Sequence, residues 1–293
     1  MPYVEGRTFY DAEFAVEPID ATFGAVVTGL QLSQLDDSTF ARLYETWLEY
    51  ALLVFPAQHL SKQEQVAFAR RFGELEFELV PISNVRRDGT VRVEADDVVK
   101  VLLGNMGWHC DSTYMPVQAK GAVFTAHVVT SSGGETGWAD MRAAYDALDI
   151  AARARISELS AYHSLYYSQS KLGHTPRAGS EYSGYGFHDQ DPPLRSLVKI
   201  HPETGRPSLL IGRHAYGIPG MDLEESDHLL QDLVDSACQP PRTYHHTWSA
   251  GDAVVWDNRC LLHRACSWDM SEPRVMYHAR IAGDPTTEFA AHA

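Results

Sequence analysis

Gly107-Trp108-His109-Cys110-Asp111-Ser112-Thr113 sets an imidazole and a carboxylate two residues apart. On a strand, residues two apart project to the same side, so His109 and Asp111 face one point. An imidazole nitrogen with a carboxylate oxygen suits a divalent first-row metal, and a second histidine from elsewhere completes a facial triad with open positions. Cys110, between them, points away by the same alternation. The pair alone carries little weight. With 14 His and 39 acidic residues in 293, random placement gives roughly two His-x-acid pairs. The sequence holds two, and the other, His201-Pro202-Glu203, falls in His201-Pro202-Glu203-Thr204-Gly205, which reads as a hairpin loop.

Working outward, the chain shows strand-like runs at Ala51–Phe55, Val99–Leu103, Gly121–Thr130, Leu197–Ile200, Ser208–Ile211, Thr243–Trp248, Asp252–Trp256 and Arg274–Ile281. Helices are expected at Asp37–Tyr50, where Phe40, Leu43, Tyr44, Trp47 and Leu48 form one apolar stripe, and from the capping box Ser61-Lys62-Gln63-Glu64 through Arg71, with Gly73 as the stop. Two more cover Asp222 to about Cys238 and Met141–Leu148. Leu75–Asp97 is mixed, charged and turn-rich, and reads as a loop placed where a lid would be. With no repeat, linker or compositional break, residues 1–293 read as a single domain. Many strands with a few outer helices imply a β-rich α+β fold whose core is a packed double sheet of jelly-roll type.

Composition narrows the function. There are 24 Lys and Arg against 39 Asp and Glu, a net charge of -15, which argues against a nucleic-acid partner. The longest apolar run, Tyr50–Phe55, is far short of the ~18 residues of a membrane span, and Met1-Pro2-Tyr3-Val4-Glu5 lacks a secretory signal's basic start. The four cysteines form no CxxC pair or disulfide framework. The expectation is a cytoplasmic protein with reduced thiols that forms a symmetric homo-oligomer. An anionic small-molecule substrate would need a locally basic pocket.

The His-x-Asp pair gains meaning from its company. Ser132-Gly133-Gly134-Glu135-Thr136 follows, then Gly251-Asp252-Ala253-Val254-Val255-Trp256-Asp257-Asn258-Arg259-Cys260-Leu261-Leu262-His263-Arg264, then Arg274, eleven residues beyond His263. This ordered set resembles the taurine dioxygenase family of non-haem iron, 2-oxoglutarate-dependent dioxygenases, whose core is a double-stranded β-helix, over essentially the whole chain. The likeness is closest to the aryloxyalkanoate members that cleave phenoxypropionate herbicides. It is carried by Trp108–Pro116, Ala139–Tyr145, His201–Arg206 and Leu210–His214.

The resemblance implies that His109, Asp111 and His263 hold Fe(II), leaving positions for 2-oxoglutarate and O2. It implies that Arg274 pairs with the distal carboxylate of 2-oxoglutarate, with Thr136 adding a hydroxyl hydrogen bond. Lys100 and Arg213 are expected to meet a substrate carboxylate, and Asn105 matches a substrate-contacting asparagine of the family. Arg280 is read as either a substrate group or a structural ion pair. It shares a strand face with Arg274 but lies about 20 Å along it. Met106, Tyr114, Phe187 and Tyr216 are candidates for lining. Taurine dioxygenases carry an arginine four residues after the co-substrate arginine, where this chain has His278, which disfavours taurine, although Asn105 keeps a sulfonate substrate open.

The implied reaction hydroxylates a 2-aryloxypropionate at its ether-bearing carbon. The hemiketal collapses to a phenol and pyruvate, with succinate and CO2 as co-products. Two alternatives are a zinc hydrolase using the same three ligands, which leaves Arg274 and Thr136 without a role, and a non-catalytic binding protein on the same barrel.

Overall fold

The computed structural model describes residues 9–11, 14–93, 95–173, 186 and 190–290. Its strands are β1 (Phe9–Asp11), β2 (Phe14–Pro18), β3 (Ala25–Thr28), β4 (Leu52–Phe55), β5 (Leu75–Ser83), β6 (Gly121–Val128), β7 (Thr136–Asp140) and β8 (Ser160–His163). They continue as β9 (Leu194–Ser196), β10 (Val198–Ile200), β11 (Pro207–Leu209), β12 (Ala215–Tyr216), β13 (Thr243–His246), β14 (Ala253–Asp257), β15 (Leu261–Ala265) and β16 (Val275–Ile281). The helices are α1 (Asp37–Tyr50), α2 (Lys62–Arg70), α3 (Asp97–Gly104), α4 (Met141–Ala147), α5 (Ile150–Ile156), α6 (Leu165–Ser170), α7 (Leu223–Ala237) and α8 (Pro285–Glu288).

One sheet has eight strands in the order β1-β2-β3-β4-β14-β6-β16-β5, and another has three in the order β13-β7-β15. Alternation along the central strands builds two cores. Leu53 and Phe55 of β4 and Val255 of β14 pack with Leu43 and Trp47 of α1 and Phe68 of α2. Leu52, Val54, Val254 and Trp256 point the opposite way, toward Trp138 of β7 and Leu261 of β15. The smaller sheet therefore covers the face of the larger sheet that the helices leave open.

Most expected elements form. Asp36 caps α1, the Ser61–Glu64 capping box opens α2, and Asp222 caps α7. The His201 turn joins the antiparallel pair β10 and β11, and all four cysteines are free. Among the described residues no helix is long and apolar enough to cross a membrane.

Three expectations are corrected. Val99–Leu103 is not a strand but lies in α3, whose start is fixed by Asp96 accepting from the Val98 N–H. Leu75–Asp97 is not an irregular loop: its first nine residues form β5, paired with β16 at the sheet edge. Pro81 is compatible with β5 because an edge strand is paired on one side only. The His109 segment is not a continuous strand either; it makes a single antiparallel bridge to His263 and then turns, with Ser112 at φ 58.

Candidate metal centre and cavity

His109 and His263 exchange backbone hydrogen bonds: the His109 N–H donates to the His263 carbonyl at 3.0 Å, and the His263 N–H returns at 2.8 Å. Their rings lie 4.2 Å apart. Asp111 follows in the turn, where Asn258 grips its backbone. The Asp111 N–H donates to Asn258 Oδ1 at 2.8 Å, and Asn258 Nδ2 donates to the carbonyls of Asp111 and Ala119, each at 2.9 Å. Side-chain donors of His109, Asp111 and His263 thereby fall within 4.8 Å of one another. The convergence foreseen from strand alternation is produced by a bridge and an asparagine clamp. Cys110 does point away, donating from its thiol to the Leu261 carbonyl at 3.3 Å.

The electrostatics suit a cation. His109 Nδ1 lies 2.7 Å from the Gly107 carbonyl, so that nitrogen carries the proton and Nε2 keeps its lone pair. Burial pushes His263 down to about 4 and His278 to about 3, so both rings are neutral at physiological pH. Burial pushes the Asp111 carboxyl up, but Arg280 and the neighbouring histidines outweigh it and hold the group ionised. Asp111 Oδ2 is buried, accepts no hydrogen bond and lies 3.7 Å from His263 Nε2. A bare carboxylate oxygen between two neutral imidazoles is the arrangement that a divalent metal satisfies.

The centre opens on a cavity of about 380 Å³ between the sheets, with Thr136, Arg274, Asn105 and Arg280 among its lining. The Ser132-Gly133-Gly134 turn brings Arg274 in. Gly133 and Gly134 both have positive φ (70 and 72), and a Cβ on Gly134 would stand 3.1 Å from the Arg274 guanidinium. Arg274 is 3% exposed, donates to the Gly134 carbonyl at 2.9 Å and covers the Trp268 ring, with no ion pair to a carboxylate among the described residues. Burial pushes its pKa down to about 10, so it remains a cation. Trp248 Nε1 donates to Thr136 Oγ1 at 3.0 Å. Because indole can only donate, the Thr136 hydroxyl proton is directed elsewhere.

The remaining expected residues divide. Asn105, at the end of α3, and Tyr114 line the cavity; Met106 and Tyr216 do not, and Tyr216 instead stacks on Tyr167 at 4.4 Å. Phe187 lies outside the described residues. Lys100 is on α3 beside Asp97 at 4.0 Å, and Arg213 donates to the Gly104 carbonyl; neither reaches the cavity wall. Arg280 forms an ion pair with Asp111 at 2.8 Å. Sequence reasoning gave no lining role to Phe77, Val80 and Ile82 of β5, His214, Gln169 or Arg264. The apolar–polar alternation of Leu75-Glu76-Phe77-Glu78-Leu79 was the available signal for β5.

The family model described as taurine catabolism dioxygenase TauD, TfdA family matches residues 15–280. The (S)-phenoxypropionate/alpha-ketoglutarate-dioxygenase of Sphingobium herbicidovorans is 67% identical over 280 residues, covering 94% of this chain and 98% of that protein. The alpha-ketoglutarate-dependent 2,4-dichlorophenoxyacetate dioxygenase of Cupriavidus pinatubonensis is 36% identical, covering 91% and 97%. The crystal structure of AAD-2 in complex with Mn(II) and N-oxalylglycine superposes with a TM-score of 0.87 at 38% identity, covering 96% of this chain and 99% of that one.

Proposed function

The chain belongs to the taurine catabolism dioxygenase TauD, TfdA family, and from that premise we propose that it is an Fe(II)- and 2-oxoglutarate-dependent dioxygenase of aryloxyalkanoates. The preferred substrate in this reading is an (S)-2-aryloxypropionate, extended from the (S)-phenoxypropionate in the name of the Sphingobium relative. The observation that carries it is the pairing, in one cavity, of a three-donor centre containing an unsatisfied carboxylate oxygen with a buried arginine that has no carboxylate partner among the described residues.

His109, Asp111 and His263 would hold the iron. When bound, iron and 2-oxoglutarate supply the activation of O2, the co-substrate leaving as succinate and CO2. Arg274 offers a planar, two-pronged cation to the distal carboxylate of 2-oxoglutarate. The Thr136 hydroxyl, already accepting from Trp248, would donate a hydrogen bond to the same carboxylate. The apolar walls from Val80, Ile82, Phe124 and Leu165 exclude water and receive an aromatic ring. Asn105 is one polar group of that lining, with Gln169 and Arg264, available to the substrate acid. Lys100 and Arg213 lie on its α3 side, and taking part would require rotation of their side chains. Hydroxylation at the ether-bearing carbon gives a hemiketal that releases a phenol and pyruvate.

In the same reading the chain is one catalytic domain. The facing eight- and three-stranded sheets are the two halves of a jelly roll, the protein is cytoplasmic, and it assembles as a symmetric homo-oligomer. The test is succinate release under O2 with added Fe(II). The account expects stimulation by (S)-2-aryloxypropionates above taurine, and equal or greater stimulation by taurine would reject the substrate assignment.

A further inference from the structure

Arg274 and Arg280 reach the same cavity, yet they are electrostatically unlike. Arg274 meets a carbonyl and a ring face. Arg280 has its charge engaged within the protein: Nη2 donates to Asp111 Oδ1 at 2.8 Å and Nη1 to Ser112 Oγ at 3.1 Å. Ser112 in turn donates to Glu76 Oε2 at 2.8 Å, and the Phe77 ring covers the guanidinium at 4.6 Å. The two oxygens of Asp111 are thereby made different. Oδ1 is held by a buried cation, and Oδ2 accepts no hydrogen bond and faces the histidines.

We infer that Arg280 is a positioning residue for the metal centre: by holding Asp111 Oδ1 it leaves Oδ2 as the one oxygen the carboxylate presents, and it is not a group that binds the substrate acid. This inference rests on the metal-centre reading above. A carboxylate free to turn can chelate through both oxygens, taking a coordination position that 2-oxoglutarate or O2 requires. It can also rotate away from the histidine pair. A cation clamped to one oxygen prevents both, and Ser112, Glu76 and Phe77 hold the clamp.

The test is titration with Mn(II) alone, followed by EPR, on wild type, Arg280→Gln, Arg280→Lys and Ser112→Gly. Arg280→Gln is expected to weaken Mn(II) binding roughly 10- to 100-fold, the usual effect of losing a partner of a metal ligand. Arg280→Lys should restore part of it. Once metal is saturating, KM for a 2-aryloxypropionate should stay within about twofold of wild type, because no substrate contact has been lost. Ser112→Gly suits the positive φ at that position and removes one anchor of Arg280, so it should give a smaller loss in the same direction; it carries the test if Arg280→Gln does not fold. Unchanged Mn(II) binding in the variants, with a raised substrate KM in Arg280→Gln, would overturn the inference alone. Absence of Mn(II) binding by the wild type would overturn the metal reading and this inference with it.

Discussion

His109 and His263 stand directly opposite each other in a two-bond antiparallel bridge, with N–H to carbonyl distances of 3.0 and 2.8 Å. The bridge is made by backbone, so the side chains can be removed without undoing it. His263→Ala should therefore keep its fold, with an unfolding free energy within about 1 kcal/mol of wild type after allowing for the lost ring contacts. Mn(II) affinity should fall by more than roughly 100-fold, because even outer partners of ligands are worth 10- to 100-fold. Circular dichroism melts with metal titration check both halves. A variant that binds metal normally would remove His263 from the centre.

Arg274 is a buried cation of the cavity with no carboxylate partner among the described residues. Arg274→Ala should raise KM for 2-oxoglutarate by roughly 30-fold or more, since truncating one side of a buried charge pair costs 2 kcal/mol or more. Arg274→Lys should recover only part, because an ammonium cannot match both carboxylate oxygens or cover Trp268 equally well. Initial rates at varied 2-oxoglutarate measure this. KM for the aryloxy acid should move little.

Asn258 is fully buried and satisfies three backbone groups around Asp111. Asn258→Ala leaves those groups without partners and should cost about 2–4 kcal/mol in urea unfolding. Asn258→Asp should also destabilise, because it faces two carbonyl oxygens with a carboxylate oxygen in place of the donating amide. A neutral result for Asn258→Asp would contradict donation from the Asn258 amide to those two carbonyls.

Asp257 lies between Arg259, at 2.8 and 2.7 Å, and His201, at 2.9 Å. Burial raises its pKa, but Arg259 and then His201 outweigh this and hold it well below the usual carboxylate range. A carboxyl depressed in the folded state contributes stability that is fully present above its unfolded pKa of about 3.9 and lost as pH falls below it. The stability gap between wild type and Asp257→Asn should therefore be constant from pH 7 to about pH 5 and narrow as pH falls below about 4. Thermal melts across that range check the sign; a gap that widens in acid would contradict it.

These particulars show what the sequence conveys and what it hides. His109, Asp111, His263, Thr136 and Arg274 could be named from the sequence because their order matches the pattern of the family the chain resembles, and the fold brings all five to one cavity. Helices α1, α2 and α7 were legible because caps and apolar stripes act locally. Val99–Leu103 misled because a β-branched apolar run fits a buried helix as well as a strand, and the deciding Asp96 cap lies just before it. β5 was hidden by its charged residues and Pro81, whose fitness for a strand depends on its being at an edge. The short β15 passed unnoticed although it carries His263. Arg280 could be placed on the right strand, but its partner Asp111 is a tertiary neighbour that no local pattern announces.

The most direct trial of the whole account is a crystal of the protein grown with Mn(II) and N-oxalylglycine, read by anomalous diffraction at the manganese edge. The account predicts a single strong peak among the His109, Asp111 and His263 side chains, with the distal carboxylate of the analogue on Arg274. A peak at the other buried donor group, His201, Asp257 and Cys260, with none between His109 and His263, would contradict it.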